Sequence, residues 1–243
     1  MMKNSVSIIM PAYKEEEFIK DALKNLVETF RTHCFDFEII TVIDVVQNDK
    51  TLEIVQNLAE SSKEIVMVTR HGKQGIGSAI REGITNATKD TILIATAEIS
   101  EDPVDLAEMV KKMNEGYDMV FGNRFYVDAK REGYELKKYI GNRLCNYAIK
   151  ILFGIKSQDI TNGIKIYKSS ILKQMKTISY GFEIFAEIPI TAYVNGFRNF
   201  VEIPIKHKAR DNIYSKFNLT KEGQRFFGAV TKCYLYKLKK SFG

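Results

Sequence analysis

The sequence predicts an α/β fold, a mostly parallel central sheet with helices on both faces. Three observations predict it. Apolar runs of strand length recur through the first half, amphipathic segments at helical spacing separate them, and polar residues gather where each run ends. A near-continuous apolar strand is one buried on both faces, and regular alternation with helices is the pattern of a parallel sheet.

The elements follow in order. "SVSIIMPAY" (5–13) is an apolar strand closed by Pro11. Residues 15–33 form a helix carrying Phe18, Ile19, Ala22, Leu23, Leu26 and Phe30 on one face. A second strand (37–45), a second helix (50–61) and a third strand (64–70) come next, then a helix from about Gly77 to Ala87. "TILIATAEISEDP" (91–103) opens with a fourth strand, and the helix "DPVDLAEMVKKMNEG" and a fifth strand (117–124) follow. In such sheets ligands bind outside the carboxyl ends of the strands. Residues 11–17, 44–51, 70–77, 96–102 and 122–124 are therefore expected along one edge.

The second half changes texture. A long helix (about 135–153) carries Tyr139, Leu144, Tyr147, Ala148, Ile151 and Leu152 on a stripe. "GIKIYKSSIL", "FEIFAEIPITAYVNG" and "FRNFVEIPIKHKAR" read as strand, helix and strand closing the same domain. We divide the chain into a domain at 1–217 and a basic amphipathic helix at 218–243, with no transmembrane segment.

Composition narrows the class. The 243 residues are 45% hydrophobic and 27% charged, values of a globular chain with a full core rather than a disordered one. The start has no signal-peptide pattern. The chain is expected to be cytoplasmic, with peripheral contact to the cytoplasmic face of a membrane as an extension of that reading. Cys34, Cys145 and Cys233 lack any paired spacing and read as reduced, buried thiols; with three scattered histidines, a structural zinc site is not expected. The net charge of +6 suits an anionic partner without choosing one. No readout module accompanies the basic residues, so nucleic acid is not an expected partner.

Seven segments then stand in register with a known pattern: "IIMPAYKEEEFI", "DVVQNDKT", "HGKQGIGSAIREGI", "AEISEDP", "FGNRF", "QDITNGIKIYK" and "RDNIYSK". Over residues 5–217 the chain resembles the family-2 glycosyltransferases of GT-A (nucleotide-diphospho-sugar transferase) fold. Within them it is similar to the dolichol- and polyprenyl-phosphate mannose synthase-like branch. The resemblance implies an inverting transfer of a sugar from a nucleotide-sugar donor to a polyprenyl phosphate, in cell-envelope or glycoprotein glycan biosynthesis.

For the donor, the resemblance implies Pro11, Tyr13, Glu15, Asp44, Lys73, Gly75, Gly77, Ala97 and Glu98. Asp44 would accept a hydrogen bond from the nucleobase; a solvated turn residue is its other reading. Gly75 and Gly77 would let the backbone approach the ligand at a helix start whose amides favour phosphate. Lys73 adds charge near the diphosphate or is a surface lysine. The family's Asp-x-Asp is Thr96-Ala97-Glu98 here, with one carboxylate. A divalent Mg or Mn ion can stabilise a leaving diphosphate and takes oxygen ligands, phosphate oxygens among them. Glu98 and Ser100 are its expected protein ligands. A weak or rebuilt metal site, metal-independent transfer and a catalytically dead relative all stay open. Asp102, before Pro103, doubles as a helix N-cap.

For the acceptor, the resemblance implies Arg124, Lys137, Arg210 and Lys216 as the phosphate-binding cations. A lipid phosphate is already anionic and scarcely needs a general base. Asp159 and Glu187 are the candidate catalytic carboxylates, Glu187 with a structural role as its alternative. Glu183 and Glu187 share one helical face and are poorly placed for a glycosidase pair. "TKCYLYKLKKSFG" interleaves aromatics with lysines and suits an anionic membrane surface, a membrane partner, or simple packing by its apolar side. Two other functions remain: a GT-A transferase acting on a glycan or small-molecule hydroxyl, and a non-catalytic binder of nucleotide-sugar or lipid phosphate.

Overall fold

The computed structural model describes residues 5–70, 75–97, 102–126, 131–132, 136–208 and 219–242, without side chains at 131–132, 136–138, 207–208, 219–222 and 242. Four strand–helix units come first: β1 (Ser5–Ala12), α1 (Ile19–Thr32), β2 (Asp36–Asp44), α2 (Thr51–Ser61), β3 (Ile65–Arg70), α3 (Ile76–Asn86), β4 (Thr91–Ile94) and α4 (Pro103–Met113). After them run β5 (Met119–Asn123), β6 (Arg131–Glu132), α5 (Leu136–Phe153), β7 (Lys165–Lys168), α6 (Ser169–Gln174), α7 (Ile184–Val194), β8 (Phe200–Pro204), β9 (His207–Lys208) and α8 (Leu219–Phe242).

Seven strands form one sheet in the order β3-β2-β1-β4-β7-β5-β8, and β6 pairs with β9. β7 runs antiparallel to both its neighbours, and every other pair in the large sheet is parallel. The insertion of β7 between β4 and β5 keeps those two strands parallel. The carboxyl ends of β1 to β5 and the entry to β7 therefore share one edge.

Period-two alternation sorts the strand side chains into two cores. Val6, Ile8, Met10 and Ala12 of β1 join Leu23, Leu26 and Phe30 of α1 and Leu106 and Met109 of α4 on one face. Ile9, Ile40, Ile92 and Phe121 join Ile80 of α3, Ile149 and Phe153 of α5, Ile184 and Ile188 of α7, and Val230 and Cys233 of α8 on the other. Each fully buried aliphatic side chain is worth roughly 1.5–3 kcal/mol, so these two layers hold the strand ends rigidly in register.

Three expectations need correction. The first helix begins at Ile19, because residues 15–18 form a turn in which Glu15 O accepts the Phe18 and Ile19 N–H groups. The single helix expected after β7 is two, α6 and α7, separated by an extended loop. Cys34 is exposed, at φ +55 in the tight link from α1 to β2; Cys145 is half-buried and Cys233 buried. Among the described residues no helix is long and apolar enough to cross a membrane.

Candidate active site

A cavity of about 480 Å³ opens at the carboxyl ends of β1, β2, β3 and β4. Pro11, Tyr13 and Glu15 line it from β1 and the turn after it, Asp44 from β2, Arg70 from β3, and Thr96 and Ala97 from the segment after β4. It sits where the strand order reverses between β1 and its two neighbours, the switch point at which open α/β sheets bind ligands. The turn after β1 is stitched to the start of α2: Glu15 N–H donates to Thr51 Oγ1 (2.8 Å), and Lys50 N–H to Glu16 Oε2 (2.9 Å).

Parallel register sets Asp44 beside Arg70. The guanidinium grips both carboxylate oxygens, Nη2 at 2.9 Å from Oδ2 and Nε against Oδ1, and Nη2 also donates to Gly75 O (3.0 Å). Nη1 donates to the Ser78 hydroxyl. One arginine thus ties the ends of β2 and β3 to the start of α3. Asp44 meets the cavity as half of an ion pair and not as a lone acceptor. Sequence reasoning passed over Arg70, although a cation ending the strand beside Asp44 was the available signal.

Gly75 and Gly77 fall at the start of α3, as expected, but what approaches them is another part of the chain. Gly77 N–H donates to Tyr180 O (2.9 Å). A Cβ at Gly77 would collide with Ser179 O, and one at Gly75, which has φ +155, with Tyr180 O. Arg81 of α3 donates to Ser179 O as well. The loop before α7 therefore forms the far wall of the cavity, where Tyr180, Gly181 and Phe182 line it together with Arg225 of α8.

Two carboxylates hold that wall. Glu187 accepts the Ile178 and Ser179 N–H groups, each at 2.9 Å, on its two oxygens. Glu183 Oε1 accepts those of Tyr180 and Gly181 at 3.1 and 3.0 Å. Four consecutive amides are thereby satisfied in a stretch with no regular structure. Glu187 is buried with both oxygens occupied, an arrangement suited to positioning the wall rather than to proton transfer.

Along the same edge, Arg124 and Asp159 meet. Arg124 donates from Nε to Asp159 Oδ2 and from Nη2 to Oδ1, both at 2.9 Å, and its own N–H reaches Oδ2 at 3.0 Å. Asp159 is fully buried. The expected phosphate-binding cation and the expected catalytic carboxylate are partners. Glu202 of β8, unmarked by sequence reasoning, braces the loop: Oε1 accepts Ser157 Oγ and the Gln158 N–H (2.9 Å), and Oε2 accepts Asn123 Nδ2 (3.1 Å). A lone carboxylate in the apolar run "FVEIP" was its signal. Beneath this cluster lies Lys165, fully buried on β7, with Nζ donating to Asn162 O and to Phe185 O (3.4 Å). Phe185 O is free to accept because the residue four positions on in α7 is Pro189, which has no N–H. Burial pulls the Lys165 ammonium down to about 7; Asp159 and Glu202 oppose that and Arg124 reinforces it.

For a divalent ion, no group of three His, Cys, Asp or Glu side chains converges among the described residues. Asp44 is ion-paired, and Asp102 caps α4 by accepting the Val104 N–H (3.0 Å). Glu98 and Ser100 lie outside the described residues, as do Lys73, Arg210, Lys216 and the side chain of Lys137.

Comparison with known proteins agrees with this geometry. The family model described as "Glycosyl transferase family 2" matches residues 7–176. An uncharacterized protein of Methanocaldococcus jannaschii is 30% identical over 228 residues, covering 90% of this chain and 86% of its own. The undecaprenyl-phosphate 4-deoxy-4-formamido-L-arabinose transferase of Edwardsiella ictaluri is 27% identical, covering 93% of this chain and 67% of that protein. Its namesake in Pseudomonas fluorescens is 25% identical, and there the chain spans 64% of the relative's length. Among solved structures, glucosyl-3-phosphoglycerate synthase of Mycobacterium tuberculosis superposes with a TM-score of 0.71 at 15% identity, covering 94% of this chain and 80% of that one. Its complex with Mn²⁺, uridine diphosphate and phosphoglyceric acid gives 0.67 at 14% identity, covering 95% and 78%. The fold is that of the GT-A transferases, and the chain belongs to glycosyl transferase family 2 and is a glycosyltransferase.

Proposed function

We propose that the protein transfers a sugar from a nucleotide-sugar to a polyprenyl phosphate with inversion. The observation that carries this reading is the cavity at the switch point, walled by Asp44–Arg70 on one side and the 178–182 loop on the other, with Arg124–Asp159 farther along the same edge. The names of the two transferase relatives support the acceptor class.

In the reaction a phosphate oxygen of the acceptor attacks the anomeric carbon, and the bond from that carbon to the diphosphate breaks. The nucleoside diphosphate leaves with the electron pair. The attacking oxygen carries no proton, so orientation and charge stabilisation are what the protein must supply. Arg70 and Asp44 fix the nucleoside end, and the wall held by Glu187 excludes water from one side of the cavity. Arg124, oriented by Asp159, is the cation assigned to the acceptor phosphate. A divalent ion held by Glu98 and Ser100 would neutralise charge on the leaving diphosphate. The pairing of Asp159 with Arg124 favours a phosphate over a hydroxyl acceptor, since a carboxylate so engaged makes a poor general base.

The test is release of nucleoside diphosphate from uridine- or guanosine-diphosphate sugars, with undecaprenyl or dolichyl phosphate and with Mn²⁺ or Mg²⁺. Asp159→Asn should slow transfer and raise the KM for the acceptor. No turnover with any donor across both lipids would end the proposal, and turnover only with hydroxyl acceptors would replace it.

A further inference from the structure

α5 and α8 lie side by side with their inner faces, including Ile149, Phe153, Val230 and Cys233, in the core. Their outer faces are also apolar. On α5, Ile140, Leu144, Tyr147 and Ile151 are 50–65% exposed, at spacings of four, three and four that put them on one side of the helix. On α8, Phe227 is 76% exposed and Leu235 53%. Between the helices runs a groove of about 550 Å³, lined by Cys145, Ala148, Leu152, Phe226, Phe227 and Tyr234 among others. Single exposed apolar residues are ordinary, but a continuous row beside an apolar groove marks an interaction surface.

Charge selects the occupant. α5 has no carboxylate over its whole length, and α8 has none from Gly223 to Phe242. Lys137, Lys138, Arg143 and Lys150 on α5, and Arg225, Lys232, Lys237, Lys239 and Lys240 on α8, are the charges of these stretches, with Arg198 near the end of α8. A second copy of this chain, docked face to face about a two-fold axis, would set these cations against themselves. An anionic lipid surface neutralises them and takes the apolar row into its headgroup boundary. We infer that the α5–α8 face docks on an anionic bilayer, with Leu144, Tyr147, Ile151 and Phe227 inserted and the lysines at the phosphates.

At its polar end the groove reaches Asn142 and Thr161, joined by a hydrogen bond of 2.8 Å, and Thr161 lies two residues beyond Asp159. Docking would therefore bring the loop holding Arg124–Asp159 close to the bilayer. That consequence rests on the proposed transfer to a lipid phosphate; the docking itself does not.

The experiment is co-sedimentation of the full chain with vesicles of phosphatidylcholine, alone and mixed with phosphatidylglycerol. The expected result is binding to the mixed vesicles, weakened by salt and by omission of phosphatidylglycerol. Leu144→Glu and Ile151→Glu should each lower binding roughly tenfold or more, since an apolar contact is lost and a repelled charge gained. Both positions are exposed, so circular dichroism and transfer to a short-chain, water-soluble isoprenyl phosphate should not change. The inference falls if the wild type stays in the supernatant with mixed vesicles, or if both variants bind as well as it does. It also falls if the wild type is a dimer that Leu144→Glu dissociates and no vesicle binds, which would give this face to a second copy. Vesicle binding without transfer to any lipid phosphate would sink the transfer proposal alone.

Discussion

Arg124 and Asp159 form a two-pronged ion pair in which the carboxylate is fully buried and also accepts the arginine's own backbone N–H. The pair behaves as one unit, because the buried Asp159 carboxylate is held by Arg124 and the arginine is oriented by the carboxylate. Asp159→Ala should cost about 3–5 kcal/mol. In a double-mutant cycle with Arg124→Ala, the two losses should fall short of additivity by at least about 1 kcal/mol. Urea denaturation of the four proteins measures this, and simple additivity would mean that the pair contributes nothing as a pair.

The glycines at the start of α3 yield a second prediction. Gly77→Ala pushes a methyl group into Ser179 O and should destabilise the protein by roughly 2 kcal/mol or more while widening the cavity. Gly223→Ala, in α8 with nothing near its Cβ position, should be neutral or stabilising by up to about 1 kcal/mol. Thermal melts compare the two, and equal effects would show that the contact with the 179–180 backbone is slack.

Glu187 separates positioning from proton transfer. Glu187→Gln turns one of its two acceptors into a donor facing an amide, at a cost of about 1–3 kcal/mol. The KM for the donor should rise while the pH dependence of kcat keeps its shape. A collapse of kcat at unchanged donor KM would assign Glu187 to the chemistry instead.

Lys165 makes stability depend on pH in a defined direction. Its ammonium is lowered to about 7 in the fold and returns to about 10.4 in the unfolded chain, so between those values the unfolded state binds the additional proton. Unfolding free energy should therefore climb as pH rises from 7, by at most about 1.4 kcal/mol per pH unit from this residue. Below pH 7 the cost of a buried ammonium is fully present. Lys165→Met should remove this part of the slope, which denaturation at pH 6, 7, 8 and 9 would detect.

Much of the molecule could be read in advance. β1 to β4 and their helices announce themselves because each is a local pattern, an apolar run or a helical stripe satisfied by its own neighbours. The position of β7 does not, because antiparallel insertion between β4 and β5 leaves no mark in the order of elements. Site residues divide in the same way. Asp44, Gly75, Gly77, Arg124 and Asp159 stand in recognisable segments, but their partners come from strand register and long-range packing. Arg70 matters through its pairing with β2, and Glu202 through a loop more than forty residues earlier. The stripe on α5 was visible as a stripe; which of its residues face outward depends on where α8 lies.

The far wall of the cavity is joined to α3 across 98 residues of chain, through Arg81 and Ser179. A ribosome that has released only the first 170 residues would have presented β1 to β5 with their helices, yet left the cavity open on one side. Affinity for a nucleotide should then appear late in synthesis, once the 178–182 loop has arrived. The proposed donor binding would in that sense be a checkpoint on completion of the fold, and a nascent chain stalled before the loop would be expected to ignore the donor.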